Sequence, residues 1–277
     1  MLRNIQLTMP FSPDVFFRLI EDHAPDVLCL QETRLQESHI DSFHGLIPGY
    51  VPYWSCSKTR KGYSGTAVLI RKASVIQSPQ KTCGWEGSKG FQMNMIDGVV
   101  GVDDIKGDKK LNVLDVKINS SKGSFSEEGR IITVEFDQFY LINCYAPNTA
   151  LERPNLEINK VEWDRYIVSY LNELRLRKPV ILAADLNCGY HPLDIYDFER
   201  IIRLQKRRPN EQSFLSIILE NRFFDAFRHF YPGKRKSVNL LTHSARRGKR
   251  PVYILVCQGC CERGEPRHAF GLLHMFR

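Results

Sequence analysis

Five polar residues follow three apolar runs of the sequence, and their types suit a site that holds a cation and a phosphate. These residues are Glu32, Tyr145, Asn148, Asp185 and Asn187. When strands end at one edge of a sheet, the side chains that follow them gather in one cleft. Mg²⁺ is typically held by one or two carboxylates and keeps water and phosphate oxygens in its other positions. The sequence therefore predicts a shared site for a divalent cation and a phosphate.

The same residues have a purely structural interpretation, which the residue types leave open. Asp185 and Asn187 belong to the residue types that commonly form turns after a strand. Tyr145 precedes an Ala-Pro pair, and a tyrosine in such a place is often simply a packed ring. A buried strand would nevertheless hold Asp185 rigidly, and the next position that faces the same way is Asn187.

The elements that would carry these residues are strands mixed with helices. Strand patterns cover residues 27–30, 63–71, 130–136, 139–145 and 180–184. Helical spacing of apolar residues covers 158–176 and 210–220, and a further helix is predicted to begin at Ser12. Residues 74–128 are polar and lack a clear period, which predicts a long elaborated loop. The hairpin signal at Asp137 and Gln138 favours a layered α/β domain with antiparallel pairing.

Composition limits the kinds of partner and compartment. The 277 residues can form one sizeable domain, and we expect residues 1–277 to do so. Lys and Arg number 39 against 31 Asp and Glu, and the net charge of +8 favours a polyanionic partner, with nucleic acid first and an anionic membrane second. The eight cysteines show no disulfide framework, which indicates a reducing compartment. No apolar run approaches the length needed to span a membrane, so no membrane association is expected.

Six segments of the chain, in this order, resemble the exonuclease III family. The segments are "PDVLCLQET" (25–33), "GYSGTAVLI" (62–70), "EGRIITVEF" (128–136), "YLINCYAPN" (140–148), "KPVILAADLN" (178–187) and "FFDAFRHFYP" (223–232). That family comprises the class II apurinic/apyrimidinic endonucleases within the larger endonuclease/exonuclease/phosphatase superfamily. The resemblance covers about residues 24–233 and leaves 234–277 as a divergent tail.

The resemblance implies a fold and a set of residue roles. The fold would be a DNase I-like, four-layer α/β sandwich of two packed mixed sheets flanked by helices. Glu32 matches the metal-binding glutamate, and Tyr145 and Asn148 match residues that contact the scissile phosphate. Asp185 matches the aspartate that orients and deprotonates the attacking water, and Asn187 matches its partner. Asp185 and Asn187 would also lie at the metal, which would be Mg²⁺, with Mn²⁺ as the alternative.

The resemblance also implies a substrate and a setting. Members of the family cut the DNA backbone 5′ to an abasic site or trim 3′ ends in base-excision repair. We therefore expect a monomer that acts on double-stranded DNA with abasic or 3′-blocked sites. The basic clusters at 206–208 and 246–250 favour the nucleus, with the mitochondrion or cytoplasm as alternatives. Those clusters are equally consistent with a solvated basic surface near the DNA.

The chain departs from the family pattern at both ends. The opening residues 1–17 lack the motif Ser-Trp-Asn-x-Asn-Gly, whose asparagine reaches the metal in the family. Aligning the tail places Val252 and Arg267 where the family has aspartates, and His268 at a catalytic histidine. Alternatively, His268 is a surface residue of an unrelated tail. We expect a fold that is incomplete at both ends.

Two further hypotheses follow from these departures. One is a catalytically impaired or silent DNA-binding relative, or a truncated or aberrant gene product of the family. The other is a retrotransposon-type nicking endonuclease, which the segments 62–65 and 227–232 disfavour because they resemble the repair branch.

Overall fold

The computed structural model describes residues 20, 24–40, 48–74, 111–119, 125–147, 154–187, 223–230, 232–233 and 252–257. Within them the chain forms a three-stranded sheet and a six-stranded sheet. The described helices are α1 (Glu37–His39), α2 (Pro154–Arg175) and α3 (Ala226–Phe230). None of the helices in this part of the chain is both long enough and apolar enough to cross a bilayer. The helices predicted at Ser12 and at 210–220 lie outside the described residues, apart from helical Ile20.

The smaller sheet carries the first candidate residue. Its strands are β1 (Val27–Gln31), β2 (Tyr50–Ser55) and β3 (Thr66–Arg71), in the order β1-β3-β2, and both pairs are antiparallel. The sequence predicted β1 and β3 but not β2. Strand β2 contains Pro52, which a sheet tolerates in an edge strand because no ladder hydrogen bond needs its nitrogen.

The larger sheet carries the remaining candidates. Its strands are β4 (Val113–Ile118), β5 (Ile131–Phe136), β6 (Tyr140–Tyr145), β7 (Val180–Asp185), β8 (Phe223–Asp225) and β9 (Val252–Cys257). They lie in the order β4-β5-β6-β7-β9-β8. The predicted hairpin is confirmed as the antiparallel pair β5–β6. Strand β9 belongs to the segment expected to be a divergent tail, yet it pairs with β7 and β8.

The prediction of a loop throughout residues 74–128 is wrong at β4. This strand pairs antiparallel with β5 at the edge of the larger sheet. Val113 is buried while the neighbouring Leu114 is 46% exposed. A short edge strand needs only one apolar face. The few apolar residues of β4 therefore did not stand out within a polar stretch of sequence.

The core has two main layers, one on each face of the larger sheet. On one face, Trp163, Ile167 and Leu171 of α2 pack against residues of β6 and β7, and their spacing of four residues is that of a helix face. On the other face, the smaller sheet packs against β5, β6 and β7. Ile20 packs on the outer side of the smaller sheet. The two packed sheets, with α2 on the outer face of the larger one and helical Ile20 on the outer face of the smaller one, agree with the predicted layered sandwich.

A buried asparagine ties the two sheets together. Asn143 of β6 donates from Nδ2 to the carbonyl oxygens of Leu30 at 2.9 Å and Ala67 at 2.7 Å. Its Oδ1 accepts from Nε2 of Gln31 at 2.7 Å. Because a buried amide must find partners to offset its desolvation, these bonds fix the end of β1 over the larger sheet.

Candidate active site

Strands β6 and β7 end together at one edge of the larger sheet. They are a parallel pair in which Tyr145 lies opposite Asp185. The Ala146 N–H donates to the Asp185 carbonyl oxygen at 2.8 Å, which continues the pairing by one step. Since parallel strands end at the same edge, a phenol and a carboxylate project from neighbouring positions.

Glu32 reaches this edge from the smaller sheet through a constrained turn. The Thr33 and Arg34 N–H groups donate to the carbonyl oxygens of Gly65 at 3.0 Å and Ser64 at 2.8 Å. Glu32, Arg34 and Ser64 have φ values of 55°, 56° and 53°. Left-handed backbone at non-glycine residues costs about 1–3 kcal/mol each and persists only where the surroundings impose it. A side chain at Gly65, whose φ is 92°, would collide with Thr33 Oγ1, so this approach requires glycine.

Asn187 is clamped between the two parallel strands. Its backbone N–H donates to Asp185 Oδ1 at 3.0 Å, and its side-chain Nδ2 donates to the Ala146 carbonyl oxygen at 2.7 Å. Its φ is 51°, a conformation that asparagine adopts more readily than most residues. The Asn187 N–H therefore fixes one oxygen of the Asp185 carboxylate.

Electrostatics shows that four of the predicted residues share one site. Burial raises the pKa of Tyr145 well above its ordinary value, and the charges of Glu32 and Asp185 raise it further. The positive charge of Arg130 and a hydrogen bond with Asn187 oppose this shift. The phenol therefore keeps its proton at neutral pH, which makes it a hydrogen-bond donor to an anion rather than a phenolate nucleophile.

Two arginines belong to the site although the sequence reasoning did not select them. Arg34 donates to Glu32 Oε1 from both Nε, at 3.2 Å, and a terminal nitrogen. Arg130 binds the Tyr145 carbonyl oxygen at 3.0 Å. The only feature of the sequence that could have pointed to Arg130 is its charge directly before the apolar strand β5. For Arg34 that feature is its position two residues after Glu32.

The donor set fits a hard divalent cation. No cluster of three or more His, Cys, Asp or Glu side chains occurs in the described residues. Two carboxylates, Glu32 and Asp185, act on one buried phenol. Carboxylate oxygens are the kind of ligand that hard divalent cations take in proteins.

Four further positions singled out in the sequence are not part of this group of residues. Asn148, Arg267 and His268 lie outside the described residues. The backbone of Val252 pairs with that of Asp185 across β9 and β7. The pairing of β9 with β7 thus places Val252 beside Asp185. Val252 is the position at which the alignment of the tail expected an aspartate.

Comparison with known proteins identifies the family. Residues 4–239 match the Endonuclease/Exonuclease/phosphatase family. The chain belongs to this family, and within it to the exonuclease III and AP endonuclease branch. Nucleases of the family generally depend on a divalent metal.

Individual relatives are nucleases and repair proteins. The chain is 30% identical over 220 residues to the exodeoxyribonuclease of Bacillus subtilis, covering 78% of this chain and 69% of the relative. It is 30% identical over 225 residues to the DNA-(apurinic or apyrimidinic site) endonuclease of Dictyostelium discoideum, covering 80% and 50%. Recombination repair protein 1 of Drosophila melanogaster is 26% identical over 235 residues, covering 85% and 28%. The chain thus spans half or less of the length of the last two relatives.

Solved structures share the fold. An AP endonuclease from Archaeoglobus fulgidus has a TM-score of 0.61 at 19% identity, with 88% of this chain and 80% of that chain covered. A 3′ phosphatase from Neisseria, bound to a product DNA hairpin, has a TM-score of 0.60 at 21% identity, with 89% and 81% covered. The predicted DNase I-like α/β sandwich is confirmed.

Proposed function

We propose that the chain is a Mg²⁺-dependent phosphodiesterase that acts as a monomer on double-stranded DNA at abasic sites or 3′-blocked ends, in base-excision repair. The observation that carries this proposal is the convergence of Glu32, Tyr145, Asp185 and Asn187 on one strand edge, where a protonated phenol lies in the field of two carboxylates. The Dictyostelium relative, an AP endonuclease by name, and the Bacillus exodeoxyribonuclease support the choice of DNA.

Glu32 and Asp185 would hold the metal, with Asn187 beside them. Mg²⁺, or Mn²⁺ in its place, would supply positive charge to the phosphate oxygens as the phosphorus becomes five-coordinate. Arg34, which already binds Glu32, adds a second positive charge that does not depend on the metal.

The reaction needs a base, an in-line water and donors to the phosphate. The Asp185 carboxylate, fixed by the Asn187 N–H, accepts a proton from water as the water oxygen bonds to phosphorus. The bond from phosphorus to the 3′ oxygen breaks, and that oxygen leaves as an alkoxide, which takes a proton from solvent water to give the 3′ hydroxyl. The Tyr145 hydroxyl donates to a non-bridging phosphate oxygen. Donors placed at developing negative charge are usually the largest single contribution to catalysis.

Basic residues next to the site supply a surface for the DNA backbone. Lys58, Arg60 and Lys61 are exposed on the loop that leads into Tyr63. Neutralising phosphates releases counterions, so affinity for the duplex should fall steeply with salt. The net charge of +8 acts in the same direction over a longer range.

The second candidate function is that of a catalytically impaired or silent relative that binds DNA. The valine at position 252, where the family has an aspartate, favours it. Its backbone pairs with Asp185, and an acid there would stand next to the base. An orienting group beside a catalytic residue is typically worth about 10–100-fold in activity. We therefore expect turnover slower than about 1 s⁻¹, which is low for an enzyme.

The test is cleavage of an abasic-site duplex with Mg²⁺ by the unaltered chain and by Asp185→Ala. We expect slow cleavage that Asp185→Ala lowers by about 10³-fold or more. The matched control is Asp137→Ala, because Asp137 is exposed in the turn at the opposite end of β6; it should retain the full rate. Equal rates for all three proteins would refute the proposed function, and turnover at or above about 1 s⁻¹ would refute the impairment.

We also propose a nuclear location, supported by the basic clusters at 206–208 and 246–250. A fluorescent fusion of the full chain should accumulate in the nucleus, and alanine at both clusters should abolish that accumulation. Unchanged distribution after the substitutions would contradict the proposal.

A further inference from the structure

Arg130 is an almost fully buried cation next to the candidate active site. Its side chain is 1% exposed. The guanidinium donates from Nε to Glu128 Oε2 at 2.5 Å, from one terminal nitrogen to the Tyr145 carbonyl oxygen at 3.0 Å, and from the other to the Tyr63 hydroxyl at 2.6 Å. Each of its three nitrogens thus has an acceptor on a different residue.

The same guanidinium packs against aromatic rings. Its central carbon lies 5.2 Å from the ring centre of Tyr145, 5.3 Å from that of Tyr63 and 5.9 Å from that of Trp163. Cations within about 6 Å of a ring centre are attracted to the ring face. Arg130 therefore contacts both the backbone and the side chain of Tyr145.

The main chain reinforces this contact. The Tyr145 N–H donates to the Arg130 carbonyl oxygen at 2.9 Å, just before β5 begins. Tyr145 is thus held by Arg130 through its N–H, its carbonyl oxygen and its ring. A buried charge is costly, and well-packed apolar residues often replace a buried ion pair without loss of stability. Fold stability alone therefore gives little reason for an arginine here.

We propose that Arg130 is a positioning residue that fixes the orientation of the Tyr145 phenol at the candidate active site. The proposal rests on the proposed function in one respect, namely that Tyr145 contacts the substrate phosphate. A planar fork can bind three acceptors in fixed directions while it stacks on a ring, and a lysine ammonium cannot. Arg130→Lys keeps the charge and should still release the ring.

The first test observes Tyr145 directly. The full chain is labelled with ring-¹³C tyrosine, and its carbon–proton NMR signals are recorded for the unaltered protein and for Arg130→Lys. Tyr145→Phe assigns the Tyr145 signals, and Tyr140→Phe assigns those of Tyr140. We expect Arg130→Lys to shift and broaden the Tyr145 signals, as the ring samples several orientations, and to leave the Tyr140 signals in place.

A matched control is available at the opposite end of β6. There Lys178 donates to Glu135 and lies 5.5 Å from the ring centre of Tyr140. Lys178→Gln should move the Tyr140 signals and not those of Tyr145. Thermal unfolding of both variants shows how much stability each has lost. If Arg130→Lys leaves the Tyr145 signals unchanged, or moves the Tyr140 signals as much, the positioning role is refuted.

A second variant covers the case in which Arg130→Lys does not fold. Tyr63→Phe removes one acceptor from the guanidinium and retains the aromatic ring. It should shift the Tyr145 signals in the same direction by a smaller amount. Tyr145 signals that stay in place in Tyr63→Phe would then overturn the proposal.

The second test separates this proposal from the proposed function. With the abasic-site duplex and Mg²⁺, Arg130→Lys should lower kcat by about 10–100-fold, as small misplacements of a reacting group do, while KM changes by less than about threefold. A raised KM with unchanged kcat would make Arg130 a binding residue and overturn the proposal. If even the unaltered chain is inactive, the proposed function fails, and the NMR comparison still decides the role of Arg130.

Discussion

Strand β6 begins and ends in clusters that each combine a basic residue, a glutamate and a tyrosine. At its start, Lys178 donates to Glu135 Oε1 at 2.5 Å and to the Phe136 carbonyl oxygen at 3.0 Å. The Lys178 nitrogen lies 5.5 Å from the ring centre of Tyr140. We call these four residues the Tyr140 cluster.

At the end of β6, Arg130 joins Glu128, the Tyr145 carbonyl oxygen, the Tyr145 ring and Tyr63 in what we call the Tyr145 cluster. The two clusters differ in the burial of the basic residue. The side chains of Lys178 and Glu135 are each 23% exposed and that of Glu128 is 21% exposed, whereas that of Arg130 is 1% exposed. A basic residue, a glutamate and a tyrosine therefore meet at both ends of β6, with the basic residue partly exposed at one end and buried at the other.

The largest expected difference is in stability. Glu128→Ala would leave the buried Arg130 guanidinium without its carboxylate, and a buried charge left uncompensated costs about 3–5 kcal/mol. Glu135→Ala would leave Lys178 partly in water, and a pair of that kind is worth about 1 kcal/mol or less. Urea denaturation of both variants measures the two losses. Equal losses would show that burial does not distinguish the clusters.

The next effect is on catalysis. Tyr145→Phe removes one donor to the substrate phosphate, and loss of one such donor costs about 10²–10³-fold in kcat. Tyr140→Phe, in the Tyr140 cluster, should change kcat by less than about twofold. Single-turnover cleavage of the abasic-site duplex measures both. A comparable loss in Tyr140→Phe would mean that the tyrosines act through the fold and not through the substrate.

A further carboxylate can be introduced at the end of β6 that carries Tyr145. Val252 pairs with Asp185, so Val252→Asp should add an orienting carboxylate and raise kcat by about 10–100-fold. Val252→Asn serves as the control, because asparagine has nearly the same shape as aspartate but carries no charge. An increase in both variants, or in neither, would argue against a missing acid as the cause of slow turnover.

The smallest effects concern pH, and Glu135 of one cluster and Tyr145 of the other should respond at opposite extremes. Burial alone would raise the pKa of Glu135, but the hydrogen bond and charge of Lys178 outweigh it and lower that pKa below 4.5. A lowered pKa contributes stability above the unfolded value and loses it as the pH falls through the folded value. Burial, with Glu32 and Asp185, raises the pKa of Tyr145 above 10.0. Its stabilising contribution is present below pH 10.0 and is lost as the pH rises.

Unfolding free energies between pH 3 and 11 test both signs. Glu135→Gln should flatten the acid side of the curve and Tyr145→Phe the alkaline side, each by about 1 kcal/mol per pH unit where the group titrates. If the two variants flattened the same side, the assignment of Glu135 to the acid side and Tyr145 to the alkaline side would be wrong.

The elements that the sequence predicted are those with a buried pattern of their own. Strands β1, β3, β5, β6 and β7 and helix α2 have apolar runs or helical spacing that local reasoning detects. Strands β2 and β4 lack such a run, since β2 is interrupted by Pro52 and β4 lies in a polar stretch. Their local sequence did not show the partners, β3 and β5, that complete them.

The same distinction applies to the site. Glu32, Tyr145, Asp185 and Asn187 follow predicted strands, so the strand pattern located them and the structure brings them together. Arg130 escaped notice because its contact with Tyr63 spans 67 residues. Its place at the start of a strand gave no sign of the two tyrosines that it holds. Long-range contacts of this kind depend on the sheet order.

The amide of Asn143 has a consequence for building chimeras. The smaller sheet contributes Glu32 to the site, while the larger sheet contributes Tyr145, Asp185 and Asn187, so the site exists only when the sheets are in register. The hydrophobic effect has no preferred direction, whereas the bonds from Asn143 to Leu30 and Ala67 select one alignment of the sheets. A smaller sheet transplanted from a relative should assemble a working site only if it presents its carbonyl groups and a partner for Asn143 at the same places. The hydrogen bonds of Asn143 would thus decide which smaller sheets can be combined with this larger sheet.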